Sequence, residues 1–252
     1  MRFATRFAGL PALLAALVIA GPASASSSSS RLPTRLQKKV VAAVRVLDEL
    51  MTKRDSSIPT DLIDDAQCIA VLPSVGKGAF VVGGRYGKGL VSCRLGEKKS
   101  WSAPAFIQIG GASIGLQFGG EAIDLVLVVR NQEGLEHLLR NNVTLGADAS
   151  VAAGPVGRTA GAATDAAMRA SILSYSRSRG AFAGAALDGA VVKQDPDDNA
   201  LLYGRRVEGS ELLMPKGTPV AVPAAVKPFI DALGRHARSA HATEHAEHDD
   251  KK

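Results

Sequence analysis

A chain of 252 residues, 46% hydrophobic, with a formal net charge of +6 has room for one domain with a substantial core. That charge is too small to argue for nucleic acid by itself. Aromatic residues, at 4%, leave little stacking surface for single strands.

The chain begins MRFATRFAGLPALLAALVIAGPASASSSSS. Arg2 and Arg6 make a positive start, Leu10 to Ala20 an apolar run, and Ala23-Ser24-Ala25 a small-residue cleavage pattern. Residues 1–25 therefore read as a secretory signal peptide cut near Ala25. The apolar run is too short and too alanine-rich for a spanning helix. Cleavage removes Arg2 and Arg6 and no acid, which takes the charge from +6 to +4. The expectation is an exported protein, periplasmic or secreted. Residues 26–34 then form a serine-rich, structureless linker.

TRLQKKVVAAVRVLDELMTKRDS follows, with Leu36, Val40, Val44, Leu47 and Met51 at helical spacing. Lys38, Lys39, Arg45, Lys53 and Arg54 stand among its polar positions. Such a helix either packs on its own domain or docks its apolar face on a bilayer or partner. IPTDLIDDAQ predicts a short second helix with Thr60 as N-cap. CIAVLP, GAFVVGGRYG, KGLVSCRL, APAFIQIGG, SIGLQFGG and AIDLVLVVR are β-prone runs punctuated by glycine, as in an antiparallel meander or barrel-like sheet with bulges. Cys68 and Cys93 fall in two of these runs. They read either as two buried small residues or, since export permits it, as a disulfide.

Asn131 caps a predicted helix in NQEGLEHLLRNN. Small-residue, strand-like text resumes over 143–192, where GAFAGAALDGAVV predicts one strand with Ala181, Ala183, Ala185 and Leu187 on one face and Phe182 on the other. Arg177 and Arg179 stand on the turn before it. PDDNALLYG reads as a helical turn with Pro196 early and Gly204 as C-cap. From residue 208 the chain is proline-punctuated and ends in a histidine-rich tail expected to be largely disordered.

Chemistry finds few candidates. Four of the five histidines (His236, His241, His245, His248) lie in the tail. The fifth, His137, sits in the predicted helix, so triad chemistry has no base in the folded middle. No metal-binding spacing occurs. Asp165, Asp188, Asp197 and Asp198 read as solvated turn acids. GGRYGKG at 83–89 is not a Walker loop, because Val82 and Gly89 stand where the pattern needs glycine and serine or threonine. A hairpin turn explains it better, with Arg85 and Lys88 projecting together and Lys77 nearby. The reading is a non-enzyme without cofactor or metal.

Several separated blocks carry a resemblance. IPTDLIDDAQCIAVLPSVGKGAFVVGGRYGKGLVSCR, WSAPAFIQIGGASIGLQFGGEAIDLVLVV, LGADASVAAGPVGR, SYSRSRGAFAGAALDGAVV and NALLYG occur in the order of the SYLF domain, which the chain resembles from about residue 38 to 205. SYLF domains occur in exported bacterial proteins and in eukaryotic membrane- and actin-associated proteins. The resemblance implies an SYLF-like domain over 35–207 that binds anionic phospholipid headgroups, phosphoinositides in eukaryotes. By position it carries the headgroup role to Lys77, Arg85, Lys88, Arg177 and Arg179. The membrane-helix role falls to Arg35, Lys38, Lys39, Val40, Val44 and Leu47. A disulfide is not a family expectation, since relatives more often have a small or polar residue where Cys68 stands. Yeast relatives bind and bundle actin, so the alternative is a structural or protein-interaction module of the cell envelope. The expected fold is α+β, a glycine-rich antiparallel, barrel-like β-sheet with an N-terminal amphipathic helix and a few short helices.

Overall fold

The computed structural model describes residues 32–52, 58–79, 83–96, 100–113, 119–140, 142–156, 167, 169–178 and 181–237. The expected signal peptide, most of the linker, Asp165, Arg179 and residues 238–252 lie outside them.

The fold is the expected α+β arrangement, a curled half-barrel sheet with an N-terminal helix and several short helices. Ten strands take part: β1 Cys68–Ala79, β2 Gly83–Leu95, β3 Ser100–Trp101, β4 Ala105–Ser113, β5 Gly119–Val129, β6 Asn142–Thr144, β7 Val151–Ala153, β8 Ile172–Ser178, β9 Ala181–Gly184 and β10 Val191–Gln194. The main path runs β6-β10-β4-β2-β1-β5-β8-β7, with β3 on β2 and β9 on β8. All these pairings are antiparallel except β7 with β8.

One face of the sheet carries α1, Thr34–Thr52. Its start is fixed by Pro33, whose carbonyl accepts from Leu36 and Gln37 N–H at 2.8 and 3.1 Å. Leu36, Val40, Ala43, Leu47 and Leu50 recur every three or four residues and are at most 2% exposed, packed with Ile69, Val71, Leu90 and Phe106. Each buried aliphatic chain contributes about 1.5–3 kcal/mol, so the apolar stripe of α1 is part of the core. The opposite face gathers Ala70, Leu72, Val91, Ile107, Ile109 and Leu125. It is covered by α3, Gln132–Leu138, through Leu135 and Leu138, and by α5, Gly209–Leu213, through Leu212 and Leu213.

Local signals explain the short helices. Asn131 accepts from Gly134 N–H at 2.9 Å and caps α3. The α2 helix, Thr60–Asp64, is preceded by Pro59 with no side-chain cap, so Thr60 is its first residue and not its N-cap. Asp195 caps α4, Pro196–Tyr203, and Gly204 ends it at φ 68°, a left-handed conformation that glycine adopts without strain.

Three expectations are corrected. GGRYGKG is not a turn; residues 83–89 are the first half of β2. GAFAGAALDGAVV is not one strand: β9 stops at Gly184, and a turn with Gly189 at φ 75° leads into β10. Phe182 is buried and Ala183 exposed, so the phenylalanine marks the core side. Residues 209–237, expected to belong to a largely disordered tail, pack into the domain. Residues 227–237 form helix α6, and Val226, Phe229 and Leu233 are at most 1% exposed in the α1 core. Their i, i+3, i+7 spacing was legible, and prolines at 219, 223 and 228 masked it.

Cys68 and Cys93 are directly opposed on β1 and β2 and joined by a disulfide, S–S 2.08 Å. The bond closes a loop with a sequence separation of 25, for which chain entropy gives about 3 kcal/mol. Replacing both cysteines by alanine is expected to lower the urea midpoint correspondingly. Reductant should shift the native protein and leave the double variant unmoved; equal midpoints for the two proteins would refute it.

Candidate functional site

The basic residues singled out from sequence divide between the two faces of the sheet. Side chains alternate along β2, with Leu90 in the α1 core and Val91 in the other. Lys88 therefore lies on the α1 side and Arg85 on the opposite side, and they do not project together. Lys77 stands directly opposite Arg85 in the β1–β2 register.

Lys88 is held by the protein's own acids. Its Nζ lies 2.5 Å from Asp195 and 2.8 Å from Asp198, and Arg35 meets the other oxygen of Asp198 at 2.8 Å. Asp198, read as a solvated turn acid, is only 1% exposed. The acids are placed by α4, which is pinned to β4. Phe106 N–H donates to Asn199 Oδ1 at 2.7 Å, Asp195 N–H to Phe106 carbonyl at 2.9 Å, and Tyr203 OH to Pro104 carbonyl at 2.6 Å. Burial pushes the Asp195 carboxyl up, but hydrogen bonds from Lys88 and the Asp198 N–H outweigh it and hold it below the usual range. A lowered folded-state value stabilises above the unfolded carboxylate pKa of about 4 and loses that contribution as acid reaches the lowered one.

Arg177 is engaged in the same way. On β8 it pairs with Glu49 of α1 and Asp124 of β5, its Nε donating to Asp124 at 2.9 Å, and it lies 5.5 Å from the centroid of the Phe182 ring. Asp124 also accepts from Ser74 N–H at 2.8 Å. Ser74 sits at φ 54° in the irregularity of β1 where the register shifts. Beside it, Lys39 Nζ donates to Pro73 carbonyl at 2.9 Å. Burial lowers the Lys39 pKa. Lys88, Arg177, Lys39 and Arg35 thus line a charged seam that ties α1 to the sheet. Val40 and Leu47, assigned to a membrane face by the resemblance, are core residues, and Val44 packs against the same core.

What α1 offers to the outside is its other side. Val41 is 69% exposed, flanked one turn away by exposed Lys38 and Arg45. With Thr34, Gln37 and Ala42 these residues line an open groove of about 430 Å³. Arg45 keeps a loose pair with Glu49 at 3.9 Å. The sequence pattern missed Val41 because it broke the apolar stripe that defined the helix.

Among the described residues, no cluster of three or more His, Cys, Asp or Glu could hold a metal, and no helix is long and apolar enough to cross a membrane.

Residues 110–236 match the Ysc84 family, described as Las17-binding protein actin regulator. An SH3 domain-containing protein of Schizosaccharomyces pombe is 33% identical over 210 residues, 80% of this chain and 48% of the relative. LAS seventeen-binding protein 3 of Saccharomyces cerevisiae is 30% identical over 210 residues, 80% of this chain and 45% of its own length. The human SH3 domain-containing YSC84-like protein 1 is 34% identical over 188 residues, 72% of this chain and 54% of the relative. The chain thus spans about half the length of the curated relatives it matches.

Proposed function

The chain belongs to the Ysc84 (SYLF) family, whose members are named as binding or regulatory proteins, and from that premise we propose that it is a non-enzymatic peripheral binder of anionic phospholipid headgroups in the cell envelope. The observation that carries this reading is the outward side of α1, where Val41 projects between Lys38 and Arg45. Each cation near an anionic surface contributes on the order of 1 kcal/mol, within a Debye length. An apolar side chain between them adds burial at the headgroup boundary. Export is part of the proposal: the Cys68–Cys93 bond is of a kind that persists in oxidising compartments.

Co-sedimentation with vesicles tests it. The protein should partition onto phosphatidylglycerol vesicles and not onto neutral ones, with recovery falling as salt rises. Lys38→Glu with Arg45→Glu should reduce partition about 30-fold or more, at roughly 1 kcal/mol or more for each reversed charge. Equal, salt-insensitive recovery on both vesicle types would sink the proposal. A second reading is favoured by the relatives' names, Las17-binding and actin-regulating. In it the same face of α1 takes an acidic protein segment, and the charge reversals abolish protein capture with vesicles playing no part.

A further inference from the structure

Among the described residues, four large hydrophobic side chains are exposed, and Tyr86, at 56%, is the one that stands on a strand. Alternation along β2 puts it on the same face as Lys88 and Leu90, beyond the rows that α1 covers. Its own row across β10-β4-β2-β1-β5 reads Val191, Gly110, Tyr86, Gly76, Ala122. Gly76 and Ala122 are exposed and Gly110 is half-buried. A Cβ added at Gly76 or Gly110 would meet only a backbone carbonyl, at 3.8 or 3.9 Å, so no side chain roofs the floor beside the ring.

The neighbouring row across β6-β10-β4-β2 reads Asn142, Lys193, Gln108, Lys88. Lys88 is neutralised by Asp195 and Asp198, but the other three keep polar groups without a partner among the described residues. Gln108 Oε1 accepts from Tyr86 OH at 3.3 Å, which leaves the amide N–H groups of Gln108 unused. Asn142 and Lys193 are exposed, and their side chains make no hydrogen bond or ion pair there. The bond to Gln108 draws the Tyr86 ring towards β4, where Gly110 stands opposite it. Covering a cross-strand glycine is a structural use of an aromatic, yet more than half of this residue stays in solvent.

The chemistry of this surface selects its ligand. Recognition of a phosphate or a headgroup calls for clustered cations, and here one free ammonium stands among amides. An apolar partner would leave those amides unpaired. A sugar satisfies both parts, since its C–H face lies on an aromatic ring while its hydroxyls pair with amide donors and acceptors. We infer that Tyr86, Gln108, Lys193 and Asn142 form a carbohydrate-binding platform on the open face of the sheet. Tyr86 takes a sugar ring, and the amides and Lys193 take hydroxyl or carboxylate oxygens. Tyr86 and Asn142 are three strands apart, about 14 Å, so the platform suits a chain of sugars rather than a single one. None of its residues belongs to the outward side of α1, so it does not rest on the vesicle-binding reading.

Affinity electrophoresis of the full chain tests it, in native gels containing polygalacturonate or, separately, hydroxyethylcellulose. At least one polymer should retard the native protein. Tyr86→Ala should weaken that interaction about tenfold or more, the scale of losing one ring stack. Gly76→Gln, which places a side chain on the open floor, should block it with the urea midpoint little changed. Lys38→Glu with Arg45→Glu should leave it intact, which separates the platform from general attraction to a basic protein. Retention by polygalacturonate alone, lost in Lys193→Ala, identifies an acidic sugar; retention by both polymers identifies a neutral one. No retardation by either polymer, or retardation that folded Tyr86→Ala and Gly76→Gln keep in full, overturns the inference.

Discussion

Gly89→Ala is expected to destabilise the domain by about 3 kcal/mol or more, at or above the upper end of ordinary over-packing. A Cβ built at Gly89 falls 2.0 Å from the Val71 carbonyl oxygen and 2.6 Å from Leu72 Cα. Both are backbone atoms of β1, so no side chain can rotate away, and relief requires the two central strands to part. Gly87 shows the same closeness, its added Cβ meeting Val75 Cγ2 at 2.6 Å. Gly76→Ala on β1 is the control, because its nearest contact is the Tyr86 carbonyl at an ordinary 3.8 Å. Urea unfolding followed by circular dichroism should separate the two variants clearly. Equal midpoints for Gly89→Ala and Gly76→Ala would refute the close approach of the β1 backbone to Gly89.

Arg177→Met is expected to cost about 3 kcal/mol, the usual penalty for removing one partner of a buried ionic group. The side chain is 11% exposed and its guanidinium joins three segments, α1 through Glu49, β5 through Asp124 and β8 itself. Its loss leaves the Asp124 carboxylate, 12% exposed, with the Ser74 N–H. Adding Asp124→Asn, which keeps an acceptor for Ser74 while removing the charge, should recover part of the loss. A coupling above about 1 kcal/mol between the two changes is the expected result. Stability also decides what Arg177 does. If Arg177→Met melts like the native protein yet loses vesicle binding, Arg177 serves a headgroup; if it is destabilised and its folded fraction still binds, Arg177 holds the fold.

The same comparison shows why the elements were easier to read than the site. Periodicity placed α1 because Leu36, Val40 and Leu47 bury on one side with Val44 packed beside them, and local capping placed α3 and α4. The family blocks pointed to the right family and to an α+β sheet. The basic residues were named without their partners, because the acids that hold them are distant in sequence. Lys88 and Asp198 are separated by 110 residues, and Arg177 and Asp124 by 53. Asp198 looked like one more turn acid beside Asp197, yet capping by Asp195 and docking of Asn199 on Phe106 turn it inward.

The glycine-rich GGRYGKG stretch marks the same boundary. Its composition suits a turn, and only the tertiary pairing shows Gly87 and Gly89 as strand residues against which the irregular stretch of β1 between Val71 and Gly76 brings its backbone. The sequence by itself determined the helical stripe of α1, the ends of α3 and α4 and the family, since each depends on residues near one another or on their types. Tertiary structure alone decided which cations are neutralised, which face each occupies and that residues 209–237 belong to the domain. Those outcomes depend on strand register and on long-range packing: a shift of one position in β2 exchanges the faces of Arg85 and Lys88, and no local signal fixes it.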